Sequence, residues 1–144
     1  MRAFLDTNVL VYLFDADNPT RRDQATALLA RHQEDLDLVL STQVLQEFYV
    51  AATRKLARPL SQEAAERAVR NLAALCTVTV DADLVLQAIG LTRGGGFSFW
   101  DALIVQAAQR AGAEVLFTED MQAGRRIDNM VIRNPFNEPP QHSA

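Results

Sequence analysis

Ala3-Phe4-Leu5-Asp6-Thr7-Asn8 opens the chain with three apolar residues that stop at an acid. A short apolar run without alternation suits a strand covered on both faces, as in a parallel sheet. Asp6 then falls at the carboxyl end of that strand. Val9 to Phe14 read as a short helix and Asp15 to Pro19 as a loop, with Pro19 suited to the first turn of a helix over Thr20–Gln33. Leu36 to Leu40 repeats the first pattern, a strand closing at Ser41-Thr42. Gln43–Lys55 is helical and closes before Pro59, and Ser61 caps a helix over Gln62–Leu75. Thr77–Val80 is a β-branched strand. Asp81 or Asp83 caps a helix that runs to Arg93, where Gly94-Gly95-Gly96 breaks it. Ser98 starts the next helix, which ends at Gly112. Val115–Phe117 and Met130–Ile132 are further strands. Strands alternate with helices and no hairpin dipeptide joins two neighbouring strands, which predicts an α/β sandwich around a mostly parallel sheet. There is no repeat and no linker. Only Asn137–Ala144, with Pro139-Pro140, reads as a loose tail.

The 144 residues suit one domain. With 49% apolar and 22% charged residues the composition is globular, neither disordered nor a disulfide scaffold. A net charge of −4 excludes a generic polycation, so any contact with nucleic acid must be local. Lys55 is the only lysine, and no glycine-rich loop leads to it, which excludes a Walker-type phosphate loop. A single cysteine, Cys76, forms no internal disulfide and fits a reducing cytoplasm, where it is expected as an inert core residue. His32, on an apolar helix face, is expected to pack. His142 lies in the tail. Four-Cys and Cys/His structural zinc sites are therefore excluded, two-histidine catalysis is not expected, and a Gly-x-Ser-x-Gly nucleophile elbow is absent. No hydrophobic signal region precedes Asp6, and no apolar run approaches the ~20 residues of a spanning helix.

Carboxylates remain in quantity. In a parallel α/β sheet ligands bind at the carboxyl ends of the strands. Asp6 lies there, and Thr118-Glu119-Asp120 follow the Val115–Phe117 strand. Glu47 falls in the apolar stripe of its helix, three residues after Val44 and beside Phe48. Asp101 shares a helical face with Ile104, Val105 and Ala108. Acids on apolar faces are costly unless a cation neutralises them, and oxygen ligands without His or Cys select Mg²⁺ or Mn²⁺. Each acid taken singly has a simpler use. Asp6 suits a helix cap, Asp101 completes a capping box with Ser98, and Glu119 and Asp120 suit a helix N-terminus. Glu47 could pair with Arg54 or Arg58. Four such exceptions converging on one sheet edge favour a metal site.

These motifs resemble those of the PIN-domain ribonucleases, most closely the VapC-type toxins of bacterial toxin–antitoxin pairs. The matching stretches are Leu5-Asp6-Thr7-Asn8, Glu47, Phe97-Ser98-Phe99-Trp100-Asp101-Ala102-Leu103-Ile104 and Leu116-Phe117-Thr118-Glu119-Asp120. The resemblance covers residues 1–136 as one nuclease domain and leaves 137–144 as a flexible tail. It implies a PIN-like three-layer sandwich, a five-stranded parallel sheet flanked by helices. It implies an acidic pocket of Asp6, Glu47, Asp101 and Asp120 holding one or two Mg²⁺ or Mn²⁺ ions. Thr7, Asn8, Ser98 and Thr118 would be its polar supports, and Glu119 a secondary ligand or solvent-exposed. The activity implied is endoribonuclease cleavage leaving a 5′-phosphate, with a cognate antitoxin and a second copy of the chain as partners, in the cytoplasm. Asp6 and Asp101 are the expected direct ligands.

Arg93, Arg125, Arg126 and Arg133 are the candidate substrate cations, since their segments lie near the same edge. Trp100 and Phe97 are expected in the core or an interface, with base stacking as the alternative. A haloacid-dehalogenase-like phosphatase would want a second acid at Asn8 and a downstream lysine. A receiver domain would want a late lysine. A PIN-domain RNA-processing nuclease outside a toxin pair remains open.

Overall fold

The computed structural model describes residues 1–137. In chain order its elements are β1 (Arg2–Leu5), α1 (Thr7–Tyr12), α2 (Pro19–Ala30), β2 (Asp37–Ser41), α3 (Thr42–Arg54), α4 (Gln62–Ala73), β3 (Cys76–Val78), α5 (Ala82–Arg93), α6 (Phe99–Arg110), β4 (Val115–Phe117), β5 (Arg126–Ile127) and β6 (Met130–Arg133). A 3₁₀ turn, Arg31–Gln33, follows α2. Pro19 is the first residue of its helix, where its missing N–H costs nothing. Ser41, Ser61, Asp81 and Ser98 each accept from a backbone N–H two or three residues into the helix they cap, at 3.3, 3.1, 2.9 and 3.2 Å. Of the two acids offered by the sequence, Asp81 is the cap of α5.

The strands form one sheet in the order β3-β2-β1-β4-β6-β5. Every pairing is parallel except β5 with β6. Helices cover the sheet, with α1 against α2 and α3, α3 against α4, and α5 against α6. Phe4, Leu5, Leu38, Leu40, Leu116 and Ile132 are fully buried, as strands covered on both faces require.

The parallel α/β architecture agrees with the sequence reading, but among the described residues the sheet has six strands where five were expected. The additional strand, β5, pairs Arg126 with Val131 and Ile127 with Met130 around a two-residue turn, Asp128-Asn129. Asp128 takes φ +52°, a left-handed conformation that Asp tolerates better than most residues. The sequence shows no Asn-Gly or Asp-Gly here, so the hairpin carries no strong local signal. The third strand starts at Cys76 and ends at Val78, earlier than the β-branched run suggests. Cys76 lies on the outermost strand β3 and is exposed, so the expected core position is wrong. His32 is exposed as well, with Nδ1 3.1 Å from the Leu36 carbonyl oxygen and 3.4 Å from the Leu38 amide nitrogen, closing the turn before β2. The expected tail lies, from residue 138 onward, outside the described residues. No helix among the described residues is long and apolar enough to cross a membrane.

Candidate active site

The chain passes from β1 to β2 on one side and returns to β4 on the other, so the strand order reverses at β1. A crevice opens at the carboxyl ends of strands at such a reversal. Asp6 stands there at the end of β1, its backbone N–H donating to the Phe117 carbonyl at 3.0 Å, and Thr118-Glu119-Asp120 follow β4. Glu47 reaches the crevice from α3 and Asp101 from the first turn of α6. Asp6, Glu47, Asp101 and Asp120 all line one cleft of about 610 Å³, with Thr7, Asn8, Tyr12, Asp15, Gln43, Lys55 and Trp100 among its other walls.

Each acid is held by its own polar neighbour. Thr118 Oγ1 donates to Asp6 Oδ2 at 2.8 Å, while Asp6 Oδ1 accepts from the Thr7 amide at 2.7 Å and so caps α1. Thr7 Oγ1 donates to Glu47 Oε1 at 2.8 Å, and Asn8 Nδ2 donates to Asp120 Oδ2 at 2.9 Å. The Ser98 hydroxyl hydrogen-bonds the Asp101 carboxylate and accepts from the Asp101 amide. Asn8 also accepts from the Glu119 amide at 3.1 Å, which ties α1 to the turn after β4.

The acids are felt by one another. Burial pushes the Asp6 carboxyl up from 3.8 to about 6, Thr7 and Thr118 oppose this, and the charges of Glu47 and Asp120 add to it. Asp101 is raised too, first by desolvation and then by Asp120 and Glu47 against the Ser98 hydrogen bond.

Glu47 corrects one sequence expectation. It is exposed at the cleft, and the buried face of α3 is Gln43, Val44, Phe48 and Ala52. Periodicity places Glu47 at the border of the stripe, and only the neighbouring elements decide that this border faces a cleft. Neither Arg54 nor Arg58 pairs with it: Arg58 pairs with Asp17 at 3.5 Å. Glu119 turns away from the cleft. It pairs with Arg21 of α2 and accepts from the Tyr12 hydroxyl at 2.9 Å, with the guanidinium stacked over Tyr12 and Phe136.

None of Arg93, Arg125, Arg126 or Arg133 lines the cleft. Arg125 lies over the Phe97 ring, 4.2 Å from its centroid, and a Cβ on Gly96 would come within 2.9 Å of its guanidinium. That close approach, with φ +94° at Gly96, accounts for a glycine here. The only cation among the described residues lining the cleft is Lys55, at the end of α3. Gln43 is another cleft residue that the sequence reading missed. It is 5% exposed, and Nε2 donates to the Trp100 carbonyl at 3.2 Å and to Glu47 Oε2 at 3.5 Å. Its Oε1 is buried without a partner among the described residues. Its signal was its place four residues before Glu47, one turn away on the same face.

The donor set is all oxygen, the chemistry of a hard divalent cation. An orphaned acceptor on Gln43 and repelling carboxylates fit such an ion. Among the described residues, however, no three acids stand close enough to share one ion. The donors therefore fit in chemistry and share one cleft, but they do not converge on a point.

The fold and the cleft define a class: an α/β protein with an acidic crevice at the switch point of a parallel sheet. The family model for the PIN domain matches residues 3–128, and the chain belongs to that family. Its fold is shared with solved toxin–antitoxin proteins. A Mycobacterium tuberculosis VapC20, described as a sarcin–ricin-loop-cleaving toxin, is 23% identical, with TM-score 0.62 over 79% of this chain and 86% of that one. A toxin–antitoxin complex from Klebsiella pneumoniae is 21% identical, with TM-score 0.67 over 92% and 97%. VapBC2 from Rickettsia felis, bound to a DNA fragment of its promoter, is 21% identical, with TM-score 0.64 over 93% and 98%. No curated protein sequence matches the chain.

Proposed function

We propose that this PIN domain is a divalent-metal-dependent endoribonuclease, the toxin of a type II toxin–antitoxin pair. One observation carries the reading: four carboxylates from four separate elements line a single cleft at the sheet's switch point in a chain of this family. Asp6, Glu47, Asp101 and Asp120 would supply the oxygen ligands of Mg²⁺ or Mn²⁺, one or two ions, with no more than two of these acids on any one ion as they stand here. Such an ion supplies Lewis acidity at the phosphate and makes water a better nucleophile at neutral pH.

The chain's own residues do the rest. Thr118, Thr7, Asn8 and Ser98 fix the four acids in place. The raised proton affinity of Asp6 and Asp101 is what a cation relieves, since metal and proton compete for the same oxygens. By its family resemblance water rather than the ribose 2′-hydroxyl is the proposed nucleophile, leaving a 5′-phosphate, and among the described residues no histidine lines the cleft. The solved toxin–antitoxin complexes of this fold support a cognate antitoxin, with a second copy of the chain as a further proposed partner. The family match sets aside the phosphatase and receiver-domain alternatives.

The test is Mn²⁺-dependent cleavage of total cellular RNA by the wild type, Asp6→Asn and Asp101→Asn. Cleavage lost in both variants and in chelator is expected. Cleavage that survives both substitutions would refute the assignment of the site.

A further inference from the structure

Trp100 is 61% exposed, although a side chain of its type is usually buried. It is neither core nor idle surface, because it lines the acidic cleft and immediately precedes Asp101. Its ring is held from one side by Phe99, centroids 5.2 Å apart at 73°, and its carbonyl is fastened by Gln43, which also reaches Glu47. Val50, 43% exposed, lines the same cleft, whereas the exposed Leu86 and Ile89 belong to α5 and do not. Against Asp6, Asp15, Glu47, Asp101 and Asp120, Lys55 is the only cation among the described lining residues.

We propose that Trp100 and Lys55 form a nucleotide subsite on the solvent side of the cleft, where an unpaired base of single-stranded RNA stacks on the indole and Lys55 meets a nearby phosphate. This rests on the nuclease reading and assigns the placing of the strand to two residues of this chain. An indole offers a face to any base, but only a base free of its own duplex stack can use it. One lysine supplies a local phosphate contact in a chain whose net charge is negative. The subsite lies one residue from Asp101, so the stacked nucleotide is placed beside the proposed chemistry.

Trp100 is the only tryptophan in the chain, and its emission reports this position alone. The experiment titrates the full chain, with Ca²⁺ in place of Mn²⁺, with a mixed-sequence single-stranded oligoribonucleotide and with the same strand in duplex. Saturable quenching by the single strand, and little by the duplex, is expected. Fluorescence anisotropy of the labelled strand should show Trp100→Ala binding roughly tenfold more weakly and Trp100→Phe recovering most of the loss. Lys55→Ala should reduce the slope of log affinity against log salt by about 0.7. Equal quenching by duplex, or wild-type affinity in Trp100→Ala, would overturn the subsite. So would blue-shifted emission that moves on dilution, which would mean that a second copy of the chain covers the indole. Mn²⁺-dependent RNA cleavage by the wild type is measured alongside. Cleavage without the stacking signal overturns the subsite and leaves the nuclease standing. Stacking without cleavage leaves an RNA-binding cleft and overturns the nuclease.

Discussion

Asp6 carries two duties with its two oxygens, and the duties conflict. Oδ1 caps α1 through Thr7 and Oδ2 takes the Thr118 hydroxyl, yet burial still raises the carboxyl to about 6. A carboxyl raised on folding is bound to more protons in the native than in the unfolded chain, so stability falls as pH rises from about 4 through about 6. In metal-free protein at pH 7 the ionised Asp6 therefore costs the fold, by roughly 3 kcal/mol at most. Asp6→Asn is expected to melt several degrees higher than wild type at pH 7–8 in chelator, with the difference gone below about pH 4. Differential scanning calorimetry across that range checks it, and an equal or lower melting temperature at pH 7 would contradict the direction. The same substitution abolishes the proposed cleavage, so stability and activity move in opposite senses. Glu47 teaches a different lesson at this scale: its type and spacing marked it, but its exposure was misread, because a helical period does not say what lies opposite the border of a stripe.

At the scale of elements, the turn after β4 is held by parts of the chain more than ninety residues away. Arg21 of α2 pairs with Glu119 between Tyr12 and Phe136, while Asn8 of α1 holds the Glu119 amide and the Asp120 carboxylate. Arg21→Ala breaks a charge-assisted contact and two ring contacts, and should cost about 1–2 kcal/mol in urea unfolding. A loss below a few tenths would show that the pair is a solvated surface contact. Ser41 joins β2 to α3 and is fully buried, so Ser41→Ala removes the cap of the helix that carries Gln43 and Glu47. The expected cost is about 1 kcal/mol, read from the same unfolding midpoint. Four of the caps, at Asp6, Ser61, Asp81 and Ser98, were legible in the sequence because capping is local. The β5–β6 hairpin was not, because Asp128-Asn129 is a weak turn signal and the strand is two residues long.

At the scale of the whole molecule, the site exists because one sheet changes direction once. β1 and β4 are neighbours in space and lie at the centre of the order β3-β2-β1-β4-β6-β5. Hydrogen exchange should be slowest in β1 and β4 and faster in the terminal strands β3 and β5, as followed by mass spectrometry of short peptides. Slow exchange in β5 and fast exchange in β1 would contradict the topology. A ligand bound only by the folded cleft must also stabilise the whole chain. Mn²⁺ is expected to raise the wild-type melting temperature by several degrees at saturation and to do less for Asp6→Asn and Asp101→Asn. Indifference of the wild type would argue that the acids are caps and ion pairs alone.

The sequence by itself determined what depends on neighbours along the chain. Apolar runs ending at Asp6 and Phe117 mark strands whose carboxyl ends carry acids, helix periods and caps set the α/β alternation, and composition excludes cysteine-based structural zinc and an internal disulfide. The likeness of its motifs to one family supplied the grouping of Asp6, Glu47, Asp101 and Asp120. Only the tertiary structure decided which groups meet across the sheet. It gave Asp6, Glu47 and Asp120 their distant polar partners Thr118, Thr7 and Asn8, turned Glu119 toward Arg21, left the four arginines off the cleft, and brought Lys55, Gln43 and Trp100 to it. Contacts of this kind join residues separated by tens of positions, and neither period, cap nor propensity encodes them until β1 and β4 lie side by side.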